Sequence, residues 1–559
     1  MSLSLFVLAA LYGAVRYSGP GLVPNGSDVV SAAGALETLD MLLGEEQKTH
    51  AAGSKENEHV RVRLLGALNE LSAQTWQLPL AENEDEERSQ KGMVNIVARI
   101  EGKPRVRPVM LVTHYDSCPH GPGAGDAGQC VAAILEVLRV LKNKPLEYEL
   151  WCVFTDAEEL GLVGAADLME RSEFPWGQET PLVLNFDARG DRGAVLLYET
   201  HENNLHAMRV AAKALASPVV STSLMVNIYQ RLPNGTDFTV FQKKGCPGWN
   251  FAVIGGAERY HTPDDSMDHL SPRSVQHFAS HGMSFVRRLD RLSADELKSI
   301  ERSEPAVFFD IFGFGLVVYP AYWNWVHLCV VTAIWMTGWF LVRSRSNWLK
   351  CTLVFGVIFA ALLASGLTGW AIAGGMAASE MLPRRFVEYY EYYCLFFVAA
   401  AIMIVMVLGR TLSTVCSRAE ILIGLIGALL LIGCTACQRL PGGAYLLLWS
   451  SAVLAVLLIF ESPLFDAKRI SAKWASLHDN LGLIGCIVPA ILYGPTYVLL
   501  ARAMGPHASV LLTVAITLML LPTIVVCRMS PPPTKQRRGP FYTVVSPDRL
   551  GVSYVAGRL

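Results

Sequence analysis

The sequence predicts two parts: an α/β domain, in which helices flank a sheet, and a following all-α membrane domain with several spans. Two observations predict this division. Charged residues are concentrated in residues 35–305, whereas residues 320–528 consist mostly of long apolar runs. The polar part alternates strand-like runs with helical stretches, which is typical of a sheet covered by helices.

The overall composition of the 559-residue chain is an average over these two parts. Apolar residues make up 52% and charged residues 17%, and the formal net charge is −2. This charged fraction is low, because soluble proteins carry about 25% charged residues. The mean hydropathy is +0.33. These values exclude a disordered chain and a single soluble domain. Without net positive charge, no nucleic-acid partner is expected.

The apolar part predicts a membrane domain over residues 307–528, with the lipid bilayer as its partner. A helix needs roughly 20 apolar residues to cross a bilayer. Seven stretches are close to that length or exceed it, at about 320–342, 351–377, 393–409, 421–437, 443–460, 481–501 and 508–527. The sequence therefore predicts seven spans in this domain.

The two ends of the chain carry separate predictions. The apolar stretch Leu3–Val15 predicts a membrane anchor within residues 1–19, and the alternative is the apolar region of a signal peptide. At the other end, residues 529–559 include three consecutive prolines and a basic KQRR patch. We expect this end to be a disordered cytoplasmic tail.

Basic residues are unequally divided between the two sets of loops that separate the predicted spans. One set of loop ends carries twelve Lys and Arg residues, and the alternate set carries four, namely Arg384, Arg385, Arg439 and Arg502. Because basic loops stay in the cytoplasm, the polar domain is predicted to be non-cytoplasmic. That side is the vacuolar or endoplasmic-reticulum lumen in a eukaryote, and the periplasm or exterior in a bacterium.

Glycosylation acceptors and cysteines also bear on the side of the membrane on which the polar domain lies. Acceptor sequences for N-glycosylation begin at Asn25 and Asn234, both on the predicted non-cytoplasmic side, so a glycoprotein is expected. The chain has twelve cysteines, four of them in the polar domain. A disulfide is compatible with this number, but the sequence does not determine a pairing. It also leaves the oligomeric state open.

Four predicted strands in the polar domain each lead into acidic or histidine residues. The strands are Val109–Thr113, Leu150–Thr155, Leu182–Phe186 and Asn250–Ile254. The residues after them, including a Gly-rich turn that follows the first strand, are His114, Asp116, Asp126, Glu158, Glu159, Asp187, Tyr260 and His261. In open α/β sheets, ligands bind beyond the carboxyl ends of the strands. We therefore expect these side chains to meet at one rim.

The order of these residues resembles the di-zinc peptidase family that includes aminopeptidase Y, bacterial leucyl aminopeptidase and glutamate carboxypeptidase. The matching stretches are VTHYDS, GPGAGDAG, TDAEELGLVGA, NFDARG, PNGTDFTVF and YHTPDDS, within residues 90–275. With its multi-span region, the chain is similar to the endoplasmic-reticulum metallopeptidase and vacuolar membrane protease branch. The resemblance implies a zinc-exopeptidase-like mixed sheet flanked by helices over residues 30–300.

The resemblance also implies two zinc ions per chain and a role for each residue. The implied metal ligands are His114 and Asp187 for one ion, Glu159 and His261 for the other, and Asp126 as the bridge. The implied catalytic residues are Glu158 as general base, Asp116 as the partner that orients His114, and Tyr260 as a donor to the oxyanion. In one departure, Ala127 stands where the family commonly has an acidic or amide residue.

The function implied by the resemblance is a membrane-anchored zinc exopeptidase, with an aminopeptidase preferred, that acts on peptide or protein substrates. Three alternatives stay open: an inactive receptor or scaffold, a single-zinc enzyme similar to glutaminyl cyclase, and a transporter with a non-cytoplasmic domain. Arg189 is a candidate for binding a substrate carboxylate, which would favour a carboxypeptidase. Asp237 and Asp265 are candidates for lining the pocket.

Overall fold

A computed structural model describes residues 12, 15–81, 92–103, 107–142, 144–174, 176–177, 179–301, 303–378, 390–465, 472–504 and 508–526. The predicted anchor Leu3–Val15, apart from Tyr12 and Val15, and the predicted tail at 529–559 lie outside these residues. Within them the chain forms an α/β domain followed by a helical domain, which confirms the predicted fold class.

A seven-stranded mixed sheet forms the centre of the α/β domain. Its strands are β1 (Gln74–Pro79), β2 (Val94–Ile100), β3 (Val109–His114), β4 (Leu150–Thr155), β5 (Leu182–Ala188), β6 (Leu196–Thr200) and β7 (Gly248–Val253). Their spatial order is β1-β2-β4-β3-β5-β7-β6. The central strands β4, β3, β5 and β7 are parallel, and they are the four that the sequence predicts. β1, β2 and β6 pair antiparallel.

The central strands differ from the other three in their sequence pattern. Every residue of β3, β4, β5 and β7 is buried, so each strand reads as a nearly continuous apolar run. β1 has only exposed and half-buried residues, while β2 and β6 carry the charged residues Arg99 and Glu199. These strands therefore lack the apolar pattern that made the central ones recognisable.

Helices cover both faces of the sheet. They are α1 (Ala32–Leu43), α2 (Lys55–Glu70), α3 (Gln129–Leu141), α4 (Val163–Glu170), α5 (Leu205–Ala214), α6 (Ser223–Tyr229), α7 (Asp237–Lys243), α8 (Pro272–Asp290) and α9 (Ala294–Ser299). On one face, α3 and α8 bury Ile134, Leu138 and Phe278. On the other, α4 and α7 bury Leu168 and Phe238. With both faces covered, the strand ends are left to form a site.

A two-stranded ribbon, which the sequence did not predict, connects the α/β domain to the helical domain. β8 (Ala306–Asp310) pairs antiparallel with β9 (Leu316–Pro320). Phe309 stacks on Tyr445 of the helical domain, with ring centroids 4.2 Å apart. Asp310 accepts a hydrogen bond of 2.6 Å from the hydroxyl of Tyr17. The ribbon thus packs against both domains.

The helical domain contains the apolar segments. Its helices are α10 (Trp323–Val342), α11 (Trp348–Ala378), α12 (Tyr390–Val415), α13 (Arg418–Arg439), α14 (Ala444–Phe460), α15 (Ala472–Met504), α16 (Ser509–Leu520) and α17 (Thr523–Val526). In the described part of the chain, five segments are long and apolar enough to cross a membrane: Trp323–Arg345, Trp348–Met376, Leu395–Val415, Arg418–Arg439 and Pro441–Phe460. Two shorter apolar segments, Ile487–Ala503 and Ser509–Val525, coincide with the last two predicted spans. The total of seven stays a prediction.

Two buried histidines on α8 are held in the neutral state by their hydrogen bonds. Nδ1 of His277 accepts from the main-chain N–H of Val195 at 2.9 Å, and Nδ1 of His281 accepts from that of Ala216 at 3.1 Å. Burial lowers the pKa of His277 to about 4 and the pKa of His281 well below its usual value. Protonation would place a hydrogen on each Nδ1 atom, directly opposite the main-chain N–H group that donates to it. The folded structure therefore favours the neutral rings.

We predict that these histidines make the α/β domain less stable in acid. Both are neutral in the folded protein but become protonated in the unfolded chain below about pH 6.5. The free energy of unfolding therefore falls between about pH 7 and about pH 5, by up to about 1.4 kcal/mol per pH unit for each histidine. His281→Phe is expected to flatten this dependence, measured as the thermal unfolding midpoint of the full chain.

The control for this measurement is His59→Gln, at an exposed position on α2. It should keep the wild-type dependence of the midpoint on pH. A His281→Phe variant whose midpoint changes with pH as steeply as that of the wild type would contradict the prediction.

Candidate metal centre

The predicted site residues meet at the carboxyl ends of the parallel strands. The rim receives His114 from the end of β3, Glu158 and Glu159 from the loop after β4, Asp187 from β5, and Tyr260 and His261 from the loop after β7. Because β3 lies between β4 and β5, its end is at the middle of the rim. The parallel strand order thus brings side chains that are distant in sequence to one place.

Asp126 lies between two groups of these side chains. Its Oδ1 atom is 3.2 Å from Nε2 of His114, and the same nitrogen is 3.8 Å from Oδ1 of Asp187. Its Oδ2 atom is 3.3 Å from Nε2 of His261, which is 2.9 Å from Oε2 of Glu159. Asp126 therefore presents one carboxylate oxygen to each group.

Both groups have the spacing and chemistry of zinc ligands. Donor atoms placed tetrahedrally at about 2.0–2.1 Å from a zinc ion lie about 3.3 Å from one another. The four distances around Asp126 lie between 2.9 and 3.8 Å. Oε1 of Glu159 is buried and has no hydrogen-bond partner among the described residues. Imidazole and carboxylate donors with free lone pairs fit a zinc site.

The site contains more carboxylates than histidines, which favours a bound cation. Burial opposes protonation of His114, but contacts with carboxylates, including Asp116 and Asp126, raise its pKa well above the usual value. Contacts with Asp126 and then with Glu159 raise the pKa of His261 to about 10. Burial raises the pKa of Glu158 well above its usual value. The site therefore holds either protons or other positive charge.

Asp116 contacts both His114 and the loop that follows β4. Its carboxylate accepts hydrogen bonds from the main-chain N–H groups of Glu158, at 3.1 Å, and Glu159, at 3.3 Å. Nδ1 of His114 is 3.0 Å from the main-chain carbonyl oxygen of Asp116 and 3.5 Å from its Oδ1. Donation from Nδ1 to this carbonyl leaves Nε2 of His114 as the unprotonated atom that faces Asp126.

Asp265 holds the turn that carries Asp126. Its two carboxylate oxygens accept the main-chain N–H groups of Gly125, at 2.7 Å, and Asp126, at 3.2 Å. A Cβ atom on Gly125 would lie 2.5 Å from the Asp265 carboxylate, so the turn requires glycine there. Asp237, the other candidate pocket residue, is buried and hydrogen-bonded to the hydroxyl of Thr155.

Cys118, which is not among the predicted site residues, lies beside the second group. Its Sγ is within 4.8 Å of the donor atoms of Glu159 and His261. Burial raises the pKa of the Cys118 thiol, which favours its protonated form. In the sequence it lies in the stretch HYDSC that begins with His114, and this proximity is the signal that could have identified it.

A cavity of about 380 Å³ opens beside the two groups. Asp126, Glu158 and Asp187 form its acidic end, and Tyr260 and Arg189 also line it. The ring of Tyr260 stacks on that of His261 with centroids 3.7 Å apart. Apolar residues, including Leu196, Met225 and Ile254, also line it, so the cavity offers both polar and apolar surface beside the candidate metal ligands.

The family comparison identifies this part of the chain. Residues 95–286 match Peptidase family M28. The chain contains an M28 domain. The match begins in β2 and ends in α8, so the M28 domain includes the whole rim and the cavity's acidic end.

Among curated proteins, the chain is similar to fungal vacuolar membrane proteases. It is 31% identical to the vacuolar membrane protease of Eremothecium gossypii over 267 residues, which are 46% of this chain and 25% of that protein. It is 26% identical to that of Saccharomyces cerevisiae (strain S288c) over 345 residues, 57% of this chain and 34% of that protein. The chain thus spans about a quarter to a third of the length of these relatives.

Solved structures that resemble the chain cover about half of it. A Zn-dependent exopeptidase from Parabacteroides distasonis has a TM-score of 0.38 and 16% identity, and the alignment covers 48% of this chain and 100% of that one. A glutaminyl cyclase from Tannerella forsythia has a TM-score of 0.38 and 17% identity, with coverage of 47% and 100%.

We predict that the Asp265 carboxylate supports metal binding by the M28 domain. Asp265→Ala leaves two main-chain N–H groups without their acceptor, so Asp126 is no longer held between the two ligand groups. Loss of such a supporting contact lowers metal affinity by about 10–100-fold. Competition with a chromogenic chelator measures the zinc affinity of the full chain. Asp264→Ala, at an exposed neighbouring position, should keep wild-type affinity, and equal affinities in the two variants would contradict the prediction.

Proposed function

We propose that this protein is a membrane-bound zinc exopeptidase that removes N-terminal residues from peptides. The observation that carries the proposal is the position of Asp126, whose two oxygens face two separate groups of ligand atoms. A carboxylate in that position serves two ions, which argues against the single-zinc alternative. An acidic residue suited to proton transfer, Glu158, lines the adjoining cavity, which argues against an inactive scaffold. The M28 match and the name of the fungal relatives support peptidase chemistry.

The zinc ligands follow from the two groups of side chains. His114 and Asp187 would hold one ion, Glu159 and His261 would hold the other, and Asp126 would bridge them. Zinc at this site would supply Lewis acidity, which lowers the pKa of water and polarises the scissile carbonyl.

Glu158 is the residue proposed to move the proton. As a carboxylate it accepts a proton from the attacking water, whose oxygen bonds to the carbonyl carbon of the substrate. It then donates that proton to the leaving nitrogen as the C–N bond breaks, which gives a carboxylic acid and an amine. Asp116 positions Glu158 through the main-chain hydrogen bond at 3.1 Å.

Tyr260 is proposed to donate a hydrogen bond to the oxygen that gains negative charge. Burial raises the pKa of its hydroxyl above the usual value, so the group stays protonated. It lines the same cavity as Glu158. A protonated hydroxyl on the rim of a partly enclosed site stabilises developing charge more strongly than it would in water.

The exposure of Arg189 favours an aminopeptidase over a carboxypeptidase. A carboxypeptidase needs a basic group for the substrate carboxylate, and the guanidinium of Arg189 lines the cavity. The Arg189 residue is exposed, so a substrate carboxylate paired with it would stay largely solvated. An aminopeptidase needs no such group, so it is the preferred activity.

The M28 domain is proposed to lie on the non-cytoplasmic side. The α/β domain contacts the turn Pro441–Gly443, and its cavity reaches Ala503 at the end of α15. These positions adjoin Arg439 and Arg502, which belong to the loop set with few basic residues. The positive-inside rule assigns that set to the non-cytoplasmic side, which in a eukaryote would be a vacuolar or endoplasmic-reticulum lumen.

We predict that Glu158→Gln keeps its metal but loses most of its activity. The amide has the size of the carboxylate but cannot accept the proton from water, so kcat should fall by about 10²–10⁴-fold. Metal analysis of the purified full chain should give about two zinc ions per molecule for both variant and wild type. Cleavage of short peptides, followed by mass spectrometry, measures the activity.

Glu170→Gln, an exposed glutamate on α4, is the matched control and should be as active as the wild type. A chelator should abolish wild-type cleavage. N-acetylated peptides should resist the enzyme, whereas C-amidated peptides should be cleaved, and the reverse pattern would make it a carboxypeptidase. A zinc-free wild type, or a Glu158→Gln variant with full activity, would overturn the mechanism.

The proposed orientation predicts which acceptor sequences become glycosylated in a eukaryotic host. Asn25 and Asn234 are exposed, so endoglycosidase treatment should lower the mass of the wild type, and Asn25→Gln and Asn234→Gln should each remove one step. Ser344→Asn, which creates an acceptor sequence with Arg345 and Ser346 in a basic loop, should stay unmodified. A glycan on this new acceptor and none on the natural ones would reverse the orientation.

A further inference from the structure

The cavity of the M28 domain extends to the membrane domain. Asp126, Glu158 and Asp187 at the rim line it, and so does Ala503, which lies near the end of α15. Its lining also includes the apolar side chains of Leu196, Met225, Ile228, Leu232 and Ile254 and the polar side chains of Asn234 and Thr236. The cavity wall is therefore built by both domains.

Helix α6 supplies the part of this wall next to the membrane domain. Met225, Ile228 and Tyr229, all on α6, line the cavity. Ile228 also lines a second cavity, of about 340 Å³, whose other residues include Tyr493 and Leu500 of the membrane domain. The apolar end of the substrate cavity thus lies directly at the boundary between the domains.

The turn Pro441–Gly443 of the membrane domain holds α6 in place through main-chain groups. The main-chain N–H of Gly442 donates to Oδ1 of Asn227 at 2.8 Å. The hydroxyl of Ser223 donates to the carbonyl oxygen of Gly442, also at 2.8 Å. The guanidinium of Arg231, just after α6, donates to the carbonyl oxygen of Arg439 at 2.6 Å. Three contacts therefore fix the helix that forms the cavity wall.

The contact between α6 and this turn leaves no room for a side chain on Gly442. A Cβ atom there would lie 2.3 Å from the main-chain oxygen of Ser223 and 2.7 Å from the side-chain oxygen of Asn227. One of these atoms belongs to the backbone of α6, so a side chain on Gly442 would displace the helix. The position of α6 consequently depends on the membrane domain.

We propose that the membrane domain forms part of the substrate pocket and sets the size of the terminal side chain that the enzyme removes. Ala503 lines the cavity, and the turn Pro441–Gly443 positions α6, which supplies further lining residues. The substrate class is peptides whose terminal residue carries an apolar side chain, because transfer of that side chain from water to an apolar wall is favourable. This inference rests on the proposed peptidase function.

The first test changes the size of residue 503. Peptides Xaa-Ala-Ala-Ala and Ala-Ala-Ala-Xaa, with Ala, Leu or Phe as Xaa, are given to the full chain, and kcat/KM is measured for each. The wild type should prefer Leu and Phe to Ala at the removed position. Ala503→Phe should lower kcat/KM for the Phe peptide by roughly tenfold or more and that for the Ala peptide much less. Ala503→Gly should shift the preference towards Phe.

Ala371→Phe is the matched control for added volume, since Ala371 is exposed on α11. It should keep the wild-type order of substrates. Zinc content should be unchanged in all the variants, because residue 503 is not among the metal ligands.

The second test moves α6 without touching the cavity. Gly442→Ala should alter the ratio of kcat/KM between Phe and Ala peptides by several-fold while zinc content is retained. Gly374→Ala is its control, since a Cβ atom on Gly374 has no neighbour within 4 Å. A structural defect alone would lower the activity on all peptides by one factor and would leave the ratio unchanged.

The outcomes separate this inference from the function on which it rests. A wild type that cleaves these peptides, with a Phe-to-Ala ratio that is unchanged in Ala503→Phe, Ala503→Gly and Gly442→Ala, would overturn the membrane-domain pocket and leave the peptidase function standing. A wild type that binds zinc but cleaves none of the peptides would overturn the proposed function as well.

Discussion

The carboxylate of Asp126 contacts two groups of side chains at once. The strand order of the M28 domain and the turn that carries Asp126 make this double contact possible. Each oxygen of Asp126 faces one histidine, with separations of 3.2 and 3.3 Å. The histidines come from β3 and from the loop after β7, which are separated by β5 in the sheet. A short turn, held by Asp265 through two main-chain N–H groups, brings Asp126 between them.

The burial of this site makes its negative charge costly. Several carboxylates lie close together in a partly enclosed space, where burial raises the pKa of Asp265 to about 7 and that of Glu158 well above its usual value. Buried carboxylates are costly unless protons, hydrogen-bond donors or metal ions compensate them. The two histidines and Oε1 of Glu159, which has no hydrogen-bond partner among the described residues, fit bound metal ions.

The membrane domain contacts the α/β domain close to the candidate metal centre. Its turn at Pro441–Gly443 hydrogen-bonds to α6, and Tyr445 stacks on the ribbon that leaves the α/β domain. Ala503 of the membrane domain is among the residues that line the cavity beside the rim. Because glycine at position 442 allows the backbones to approach closely, the relative position of the two domains is set by direct packing rather than by a linker.

By itself, the sequence determined the division into two domains, the four parallel strands and the set of rim residues, because buried strands read as apolar runs and their ends carry the charged side chains. It did not predict the strands β1, β2 and β6, the ribbon, the proximity of Cys118, or the hydrogen bonds of Asp265. Only the tertiary structure brought Ala503 to the cavity of a domain more than 200 residues earlier in the chain. Such contacts depend on packing between distant segments, and no local pattern in the chain specifies them.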